Sequence, residues 1–505
     1  MYLSKYGYVI PKSELTRKQI STIKNDLVAR PLSDDKYYCD NTFNVYRETQ
    51  NKITVPLQYG LENFGEPPAF TDSYAGESIP KIKFTGELRD YQKEPYSKMY
   101  DLFKDVTPEN PKGGVMSLAT GGGKTFLATK LICDLGRKTL VLVNKLSLLH
   151  QWVDELKRFS DGIRVGIVQG KNVDIIDKHV IVATIQSTVK GTYPDTIFDD
   201  ISMVIIDECH NVSSKMFSTV LFNVASPVML GLSATPNRAD GLDTVLHWWI
   251  SGLIYQTPKA NKKFDLQIKV VKCSSENYRE IHNVNRATGQ KQLQFTSMLS
   301  DLIKMEDRNK IIVDVIIHIM GLDEKVKRKI LVMSDRREHI KILMQMLKER
   351  NVNFTFAPFV GAMKITTLET NRKCDVILAT TAAFSEGVSE KDLNTLILVS
   401  PKKFVGHLAN QAKMDSGKME QIVGRIFRKT HTQITPMIID IADDFSVYRM
   451  HMSQRLAFYK QHFVEYQMIN QTVNLDGYND ISDIITVKRT KKLDSPPKID
   501  YCLLE

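Results

Sequence analysis

The sequence predicts an α/β protein with two tandem units, each a parallel sheet covered by helices on both faces. A small N-terminal domain precedes them and a helical extension follows. Three observations carry this reading. Apolar runs without polar alternation recur at 139–143, 179–183, 203–206 and 228–232, then at 330–333, 376–379, 395–399 and 437–439. Such runs suit strands covered on both faces. Helical patterns lie between them, for example over 147–159 and 337–350. The alternation also starts twice, from residue 84 and again past residue 320, with a basic polar stretch between. The expected divisions are therefore 1–83, an N-terminal accessory domain; 84–257, the first α/β unit; 258–320, a basic linker with connecting helices; 321–445, the second unit; and 446–505, a helix and basic tail.

Composition narrows the class. A chain of 505 residues with 42% hydrophobic and 25% charged residues has the balance of a globular protein of several domains. The longest apolar stretch, 311–320, is broken by Asp314 and His318, so no membrane span is expected. The N-terminus lacks an apolar signal core, and the six cysteines are scattered without a C-x-x-C pair. Both point to an intracellular, reducing setting with no membrane partner; a monomer is expected. Net charge is +10. Residues 1–257 hold 29 Lys+Arg and 29 Asp+Glu, so the remaining 39 against 29 in 258–505 carry the whole excess. A basic second half suits a polyanion such as nucleic acid.

In chain order, 13–27 reads as a helix with Ser13 as its N-cap, and 45–57 alternates as a strand does. Residues 115–119 form an apolar run that meets the glycine loop Gly121-Gly122-Gly123, followed by Lys124, Thr125 and a helical pattern. A strand, glycine loop and helix cradle phosphate: inward backbone N–H groups and the helix N-terminus favour the anion. Lys124 would reach the β- and γ-phosphates and the Thr125 hydroxyl would ligate Mg²⁺. The full pattern opens with Gly, where this chain has Leu118. Next, the run Met203-Val204-Ile205-Ile206 ends in Asp207 and Glu208, which places two carboxylates at the carboxyl edge of a parallel sheet. Asp207 is expected to hold Mg²⁺ and Glu208 to orient and deprotonate the attacking water. Alone, the pair would read as a helix cap. Past the loop by some 80 residues, it reads as the hydrolytic half of an ATP site. Ser233-Ala234-Thr235 lies at another strand end, and Arg425 and Arg428 lie three apart in the second unit. Paired guanidinium groups there are what an arginine finger requires. Residues 444–470 form a long amphipathic helical pattern, and the tail from 471, with Lys488-Arg489-Thr490-Lys491-Lys492, is expected to be partly disordered.

The order of these pieces resembles the superfamily 2 helicases, with two RecA-like P-loop NTPase domains. Leu88-Arg89-Asp90-Tyr91-Gln92 is similar to their adenine-contacting motif. Ala119 to Thr125 resembles motif I, Asp207-Glu208-Cys209-His210 a DExH motif II, and Ser233-Ala234-Thr235 motif III. Ser385-Glu386-Gly387 resembles motif V and Gln421 to Arg428 motif VI. Motif V usually continues Gly-aliphatic-Asp, but here Ser389 follows Val388. The resemblance implies that Arg89 and Gln92 hold adenine, and that Ala119, Thr120, Gly121, Gly122, Gly123, Lys124, Thr125 and Gly387 bind ATP. It places Gln421, Arg425 and Arg428 at the γ-phosphate and Thr125 and Asp207 at Mg²⁺. Nucleic-acid contacts would come from Asn144, Thr184, Gln186, Ser334 and Thr380, and coupling from Ser233, Thr235, Arg238 and Asp240. Arg238-Ala239-Asp240 is similar to an element of the DNA translocase subunit of the general transcription and repair factor. With the segment from Asp335 to His339, the chain looks most like helicases of large cytoplasmic DNA viruses, of the poxvirus transcript-release type. This implies an ATP-driven helicase or translocase on DNA in viral transcription, with transcription machinery as partner and the host cytoplasm and virion as setting. An RNA helicase or RNA-stimulated ATPase is the alternative these motifs leave open. A binding scaffold with weak ATPase is a second, against which intact Lys124, Glu208 and Arg425 argue.

Overall fold

The computed structural model describes residues 1–30, 42–118, 122–190, 193–210, 215–234, 241–257, 266–284, 291–322, 327–361, 363–384, 390–401, 419, 422–427, 429, 431, 433–463 and 466–487. The chain divides into two compact units, with the division between Thr257 and Pro258.

The first unit is built on an eight-stranded sheet. Its strands are β1 (Lys112–Ser117), β2 (Thr139–Val143), β3 (Val165–Gln169), β4 (Asn172–Asp174), β5 (Val180–Thr184), β6 (Met203–Asp207), β7 (Val228–Ser233) and β8 (Leu253–Gln256). They lie in the order β4-β3-β5-β2-β6-β7-β1-β8. All neighbours run parallel except β3 and β4, which form a hairpin. Every residue of β2, β5, β6 and β7 is buried. This double coverage is why those segments read as unbroken apolar runs. Covering helices include α1 (Asp90–Phe103), α2 (Lys124–Leu135) and α3 (Leu146–Phe159).

The N-terminal segment does not stand apart from this unit. Four short antiparallel strands, Tyr2–Ser4, Gly7–Pro11, Lys52–Val55 and Arg47–Glu48, make a separate sheet. Its Tyr8 and Val55, with Leu57 of the helix that follows, share one core with Trp249, Phe222 and the residues lining β2 and β6. At Gly7, φ is +113° and an added Cβ would lie 2.5 Å from the Val55 carbonyl, so only glycine lets the strands close here. The first helix spans Arg17–Asp26, and its cap is Thr16 rather than Ser13. The Thr16 hydroxyl accepts the Gln19 N–H, and the Gln19 side chain accepts the Thr16 N–H in return.

The second unit repeats the plan with β9 (Gln267–Ser274), β10 (Ile330–Ser334), β11 (Phe356–Phe359), β12 (Val376–Thr380), β13 (Thr395–Leu398), β14 (Met437–Asp443), β15 (Gln467–Asn474) and β16 (Ile485–Val487). The order is β11-β12-β10-β13-β14-β9-β15-β16, parallel throughout except for β16. Two expectations change here. The stretch expected as a linker with connecting helices has those helices, Phe295–Leu302 and α4 (Glu306–Met320), but it also supplies β9, an interior strand between β14 and β15. The amphipathic helix α6 (Ser446–His462) follows, but it ends before 470, and residues 467–487 continue into β15 and β16 instead of an irregular tail. Helix α5 (Arg337–Glu349) packs on β11 and β12.

Two ion pairs fix β14 between its covering helices. Asp443 accepts from Arg308 of α4 at 2.7 and 2.9 Å and from the Tyr278 hydroxyl at 2.8 Å. Asp440, three residues earlier, accepts from Arg455 of α6 at 2.8 and 2.9 Å and from the Tyr459 hydroxyl at 3.0 Å. Both carboxylates are fully buried. Each meets a planar guanidinium in bidentate geometry, the arrangement that offsets desolvation best. No helix among the described residues is long and apolar enough to cross a membrane.

Candidate active site

Parallel register brings the strand ends of the first unit to one edge. Ser117 pairs with Ser233, Asp207 with Leu232, and Thr184 with Val143. Along this edge stand, in order, Thr184 of β5, Asn144 just past β2, Asp207 and Glu208 at β6, Ser233 of β7 and the glycine loop after β1. The loop is tied to its neighbour by the Leu118 N–H, which donates to the Ser233 carbonyl at 3.1 Å. Leu118 is itself buried, so the side chain standing where the pattern has Gly fills core space.

Helix α2 opens at Lys124, capped by Gly123 with φ +82°. An added Cβ on Gly123 would lie 2.4 Å from Nε2 of Gln92, which donates to the Gly122 carbonyl at 3.3 Å. Gln92 is buried, and its Oε1 accepts the Arg89 N–H at 3.0 Å at the start of α1. The Arg89 guanidinium is exposed and donates to the Tyr91 hydroxyl at 3.2 Å. Gln92 thus joins the loop to the segment expected to hold adenine.

The Lys124 ammonium lies 3.2 Å from Oε1 of Glu208. Glu208 sits at φ +48°, a strained position for a residue with a Cβ, directly after the buried strand. The turn aims its carboxylate back at the loop. His210 Nδ1 lies 3.5 Å from the other Glu208 oxygen and 3.0 Å from the Ser233 hydroxyl. The Ala234 N–H also donates to Glu208. Burial raises the carboxyl of Glu208, but the Lys124 charge, then His210 and these hydrogen bonds outweigh it and hold the group below its ordinary range. Asp207 moves the other way. Burial, then the neighbouring Glu208 charge, raises its carboxyl, against the opposing pull of Lys124 and a hydrogen bond from Trp152. One carboxylate is thus ionised beside a lysine, while its neighbour is buried and ready to be balanced by a cation.

The donor set fits Mg²⁺ carried by a nucleotide. Asp207 offers a hard carboxylate oxygen and Thr125, in the first turn of α2, a hydroxyl. Mg²⁺ at such sites takes one or two carboxylates and fills the rest of its octahedron with water and phosphate oxygens.

Of the expected nucleic-acid residues in this unit, Asn144, Thr184 and Gln186 are brought together. The Gln186 amide donates to the Asn144 carbonyl at 2.8 Å, and the Thr184 hydroxyl lies 2.7 Å from that of Ser187. In the second unit Ser334 and Thr380 end neighbouring strands in register. Ser334 departs from the expected contact, because its side chain is fully buried. Its hydroxyl lies 3.0 Å from Nδ1 of His339 and accepts the Arg336 N–H at 3.2 Å, so it shapes the strand end from inside. Arg425 is buried in a one-turn 3₁₀ helix, Gly424–Phe427. Ala119, Thr120, Gly121, Thr235, Arg238, Asp240, Gly387, Gln421 and Arg428 lie outside the described residues.

Sequence reasoning missed Trp152, whose indole N–H donates to Oδ2 of Asp207 at 2.9 Å. Gly122 and His210 belong to the expected motifs, but their contacts with Gln92 and with Glu208 and Ser233 are tertiary and were not expected. The motif spacing held a clue for His210, three residues past Asp207; for Trp152, lying in an apolar helix face, there was none.

Comparison with known proteins identifies the family. Residues 85–238 match the family described as type III restriction enzyme, res subunit, and residues 307–430 match the helicase conserved C-terminal domain. A protein of Acanthamoeba polyphaga mimivirus named “Putative ATP-dependent RNA helicase” is 30% identical over 450 residues, 87% of this chain and 81% of the relative. A protein of the same description from African swine fever virus is 26% identical over 408 residues, 76% of this chain and 74% of the relative. Among solved structures, the ATP-dependent type ISP restriction-modification enzyme LlaBIII bound to DNA superposes with a TM-score of 0.52 at 16% identity. That match covers 78% of this chain and 32% of the other, and shows likeness of fold.

Proposed function

The chain belongs to the superfamily 2 helicases, ATP-hydrolysing enzymes with two RecA-like domains, and from that premise we propose that it is a translocase driven by the Lys124–Glu208 site, with DNA as its track. One observation carries the reading. A lysine at the mouth of a glycine loop faces an ionised glutamate at 3.2 Å, with a second carboxylate next to it on the same strand end. This is the equipment for hydrolysing a phosphoanhydride.

In this proposal Arg89 and Gln92 hold adenine, and the loop from Ala119 to Gly123 with Lys124 holds the phosphates. Thr125 and Asp207 hold Mg²⁺. Lys124 leaves Glu208 for the phosphates when nucleotide binds, which frees Glu208 to orient water and accept its proton. Gln421, Arg425 and Arg428 act on the γ-phosphate during turnover, Gly387 supports the nucleotide, and Ser233, Thr235, Arg238 and Asp240 couple hydrolysis to movement. Asn144, Thr184, Gln186 and Thr380 contact the phosphodiester backbone, which makes binding tolerant of sequence and sensitive to salt. Asp207-Glu208-Cys209-His210 is taken as a DExH motif, and the role as one in the transcription of a large DNA virus, near the poxvirus transcript-release type.

DNA is favoured by the match of the first domain to a restriction-enzyme subunit. RNA is the second reading, favoured by the names of the mimivirus and African swine fever virus relatives. The test is ATP hydrolysis by the full chain with single- and double-stranded DNA and RNA of matched sequence, with Lys124→Ala as the inactive control. Duplex DNA is expected to stimulate most. Stimulation by RNA alone would move the assignment to the second reading, and an active Lys124→Ala protein would remove the site itself.

A further inference from the structure

We propose that Trp152 is a positioning residue for Asp207, holding the carboxylate in the one orientation that can meet a nucleotide-borne cation. The inference rests on the site assigned above and adds to it a residue on a different element.

Among the described residues Asp207 accepts two hydrogen bonds: Oδ1 from the Glu208 N–H at 3.0 Å and Oδ2 from the indole N–H of Trp152 at 2.9 Å. The first is a contact with the next residue and follows the local backbone. The second is tertiary, and with the first it fixes the carboxylate plane at both oxygens. Without it the carboxylate could turn about its side-chain torsions. Each oxygen keeps a further lone pair, so the cation or its water shell can still be met.

Trp152 is well placed to hold this orientation. It is 1% exposed and packs in the core formed by β2, β6 and α2. Tryptophan donates through one N–H and has no acceptor, so the contact has a single sense. The residue is also out of proportion to a purely filling role: Leu149, Val153 and Leu156 of the same helix already pack in that core. A buried indole N–H requires a partner, and here the partner is the carboxylate at the chemical centre. Helix α3 begins at Leu146, two residues past Asn144. The element that positions Asp207 therefore starts at the strand end where the polymer is proposed to lie, so one rigid helix touches both events.

The test measures ADP binding to the full chain by calorimetry, with Mg²⁺ and with chelator, for wild type, Trp152→Phe and Asp207→Asn. A further protein carries benzothienylalanine at position 152, which replaces the N–H by sulfur and keeps the shape. The wild-type protein is expected to bind ADP more tightly with Mg²⁺. Both Trp152 proteins should bind ADP with chelator as wild type does, and lose about tenfold of the tightening by Mg²⁺, the scale of one hydrogen bond to a charged group. Full tightening in the benzothienylalanine protein, with none in Asp207→Asn, would overturn the role of Trp152 and leave the site intact. Full tightening in Asp207→Asn would overturn the assignment of Asp207 to the cation, and this inference with it.

Discussion

Acid should destabilise the second unit through one histidine. His339 is fully buried beneath β10, with Nε2 at 3.0 Å from the Asn309 Oδ1 and Nδ1 at 3.0 Å from the Ser334 hydroxyl. The Asn309 amide nitrogen donates to the Ile303 carbonyl, which leaves its oxygen to accept and assigns the proton to Nε2. Nδ1 must then accept from Ser334. Protonating Nδ1 would place a positive charge in the core near the Arg308 guanidinium. Burial, then the Arg308 charge, lowers this imidazole from 6.5 to about 3. The sign follows directly. Between those values the unfolded chain binds a proton that the folded chain refuses, so the stability is whole above 6.5 and is lost as pH falls toward 3. At pH 5 the loss is about 2 kcal/mol, and it changes little for any folded value below about 4. Urea unfolding of the full chain at pH 7.5 and pH 5 reads it. All three tryptophans, Trp152, Trp248 and Trp249, lie in the first unit, so the far-UV circular dichroism transition that fluorescence does not follow reports the second. His339→Gln should lose about 2 kcal/mol less than wild type on acidification, because the other titrating groups are common to both. Equal losses in the two proteins would refute the buried neutral imidazole.

Two shorter expectations complete the set. Glu208→Gln should bind ATP at close to wild-type affinity and lose at least about 10²-fold in turnover, the lower range for a removed general base; steady-state hydrolysis beside nucleotide titration separates the two, and wild-type turnover would remove the water-activating role. Asp443→Asn strands the Arg308 guanidinium in the core and should cost about 3–5 kcal/mol in urea unfolding, whereas the pair Asp443→Leu with Arg308→Met should recover most of it.

The strands that read plainly in the sequence are those buried on both faces. Thr139–Val143 was legible to the residue, and β5, β6, β7, β10, β12 and β13 to within about one residue at either end, because burial on both sides leaves mostly apolar residues in their interiors. β9 was not. Its Lys269 and Lys272 made the segment look like linker, although Ile268, Val270, Val271 and Cys273 are wholly buried. A lysine stem can lie along a sheet face while its ammonium reaches water, so charge alone does not exclude a strand. β15 was hidden for a related reason. Its sequence, Gln-Met-Ile-Asn-Gln-Thr-Val-Asn, is mostly polar, and pairing with β9 and β16 selects the strand. At the site, the sequence placed Lys124, Asp207 and Glu208 on elements that meet, since loop and strand-end positions follow from the parallel plan. The approach of Gln92 to the loop and of Trp152 to Asp207 depends on helix rotation and packing, which local pattern does not encode.

Strand β14 shows where such reading must stop. Only residues 437–439 read as a strand, because Asp440, Asp443 and Asp444 break the apolar run, yet the strand continues to Asp443. An aspartate buried without a partner would be excluded on energetic grounds. Here Arg455 lies 15 residues after Asp440, while Arg308 lies 135 residues before Asp443. The first pair could be guessed from a helix following the strand. The second joins an arginine in a helix expected within a linker with an acid that lies beyond the expected strand. Each misreading hid the evidence against the other. A buried charge is legible only when its counter-charge is known, and that knowledge is tertiary. Asp440 and Asp443 lie an odd number of residues apart, so the two pairs clamp β14 from opposite faces.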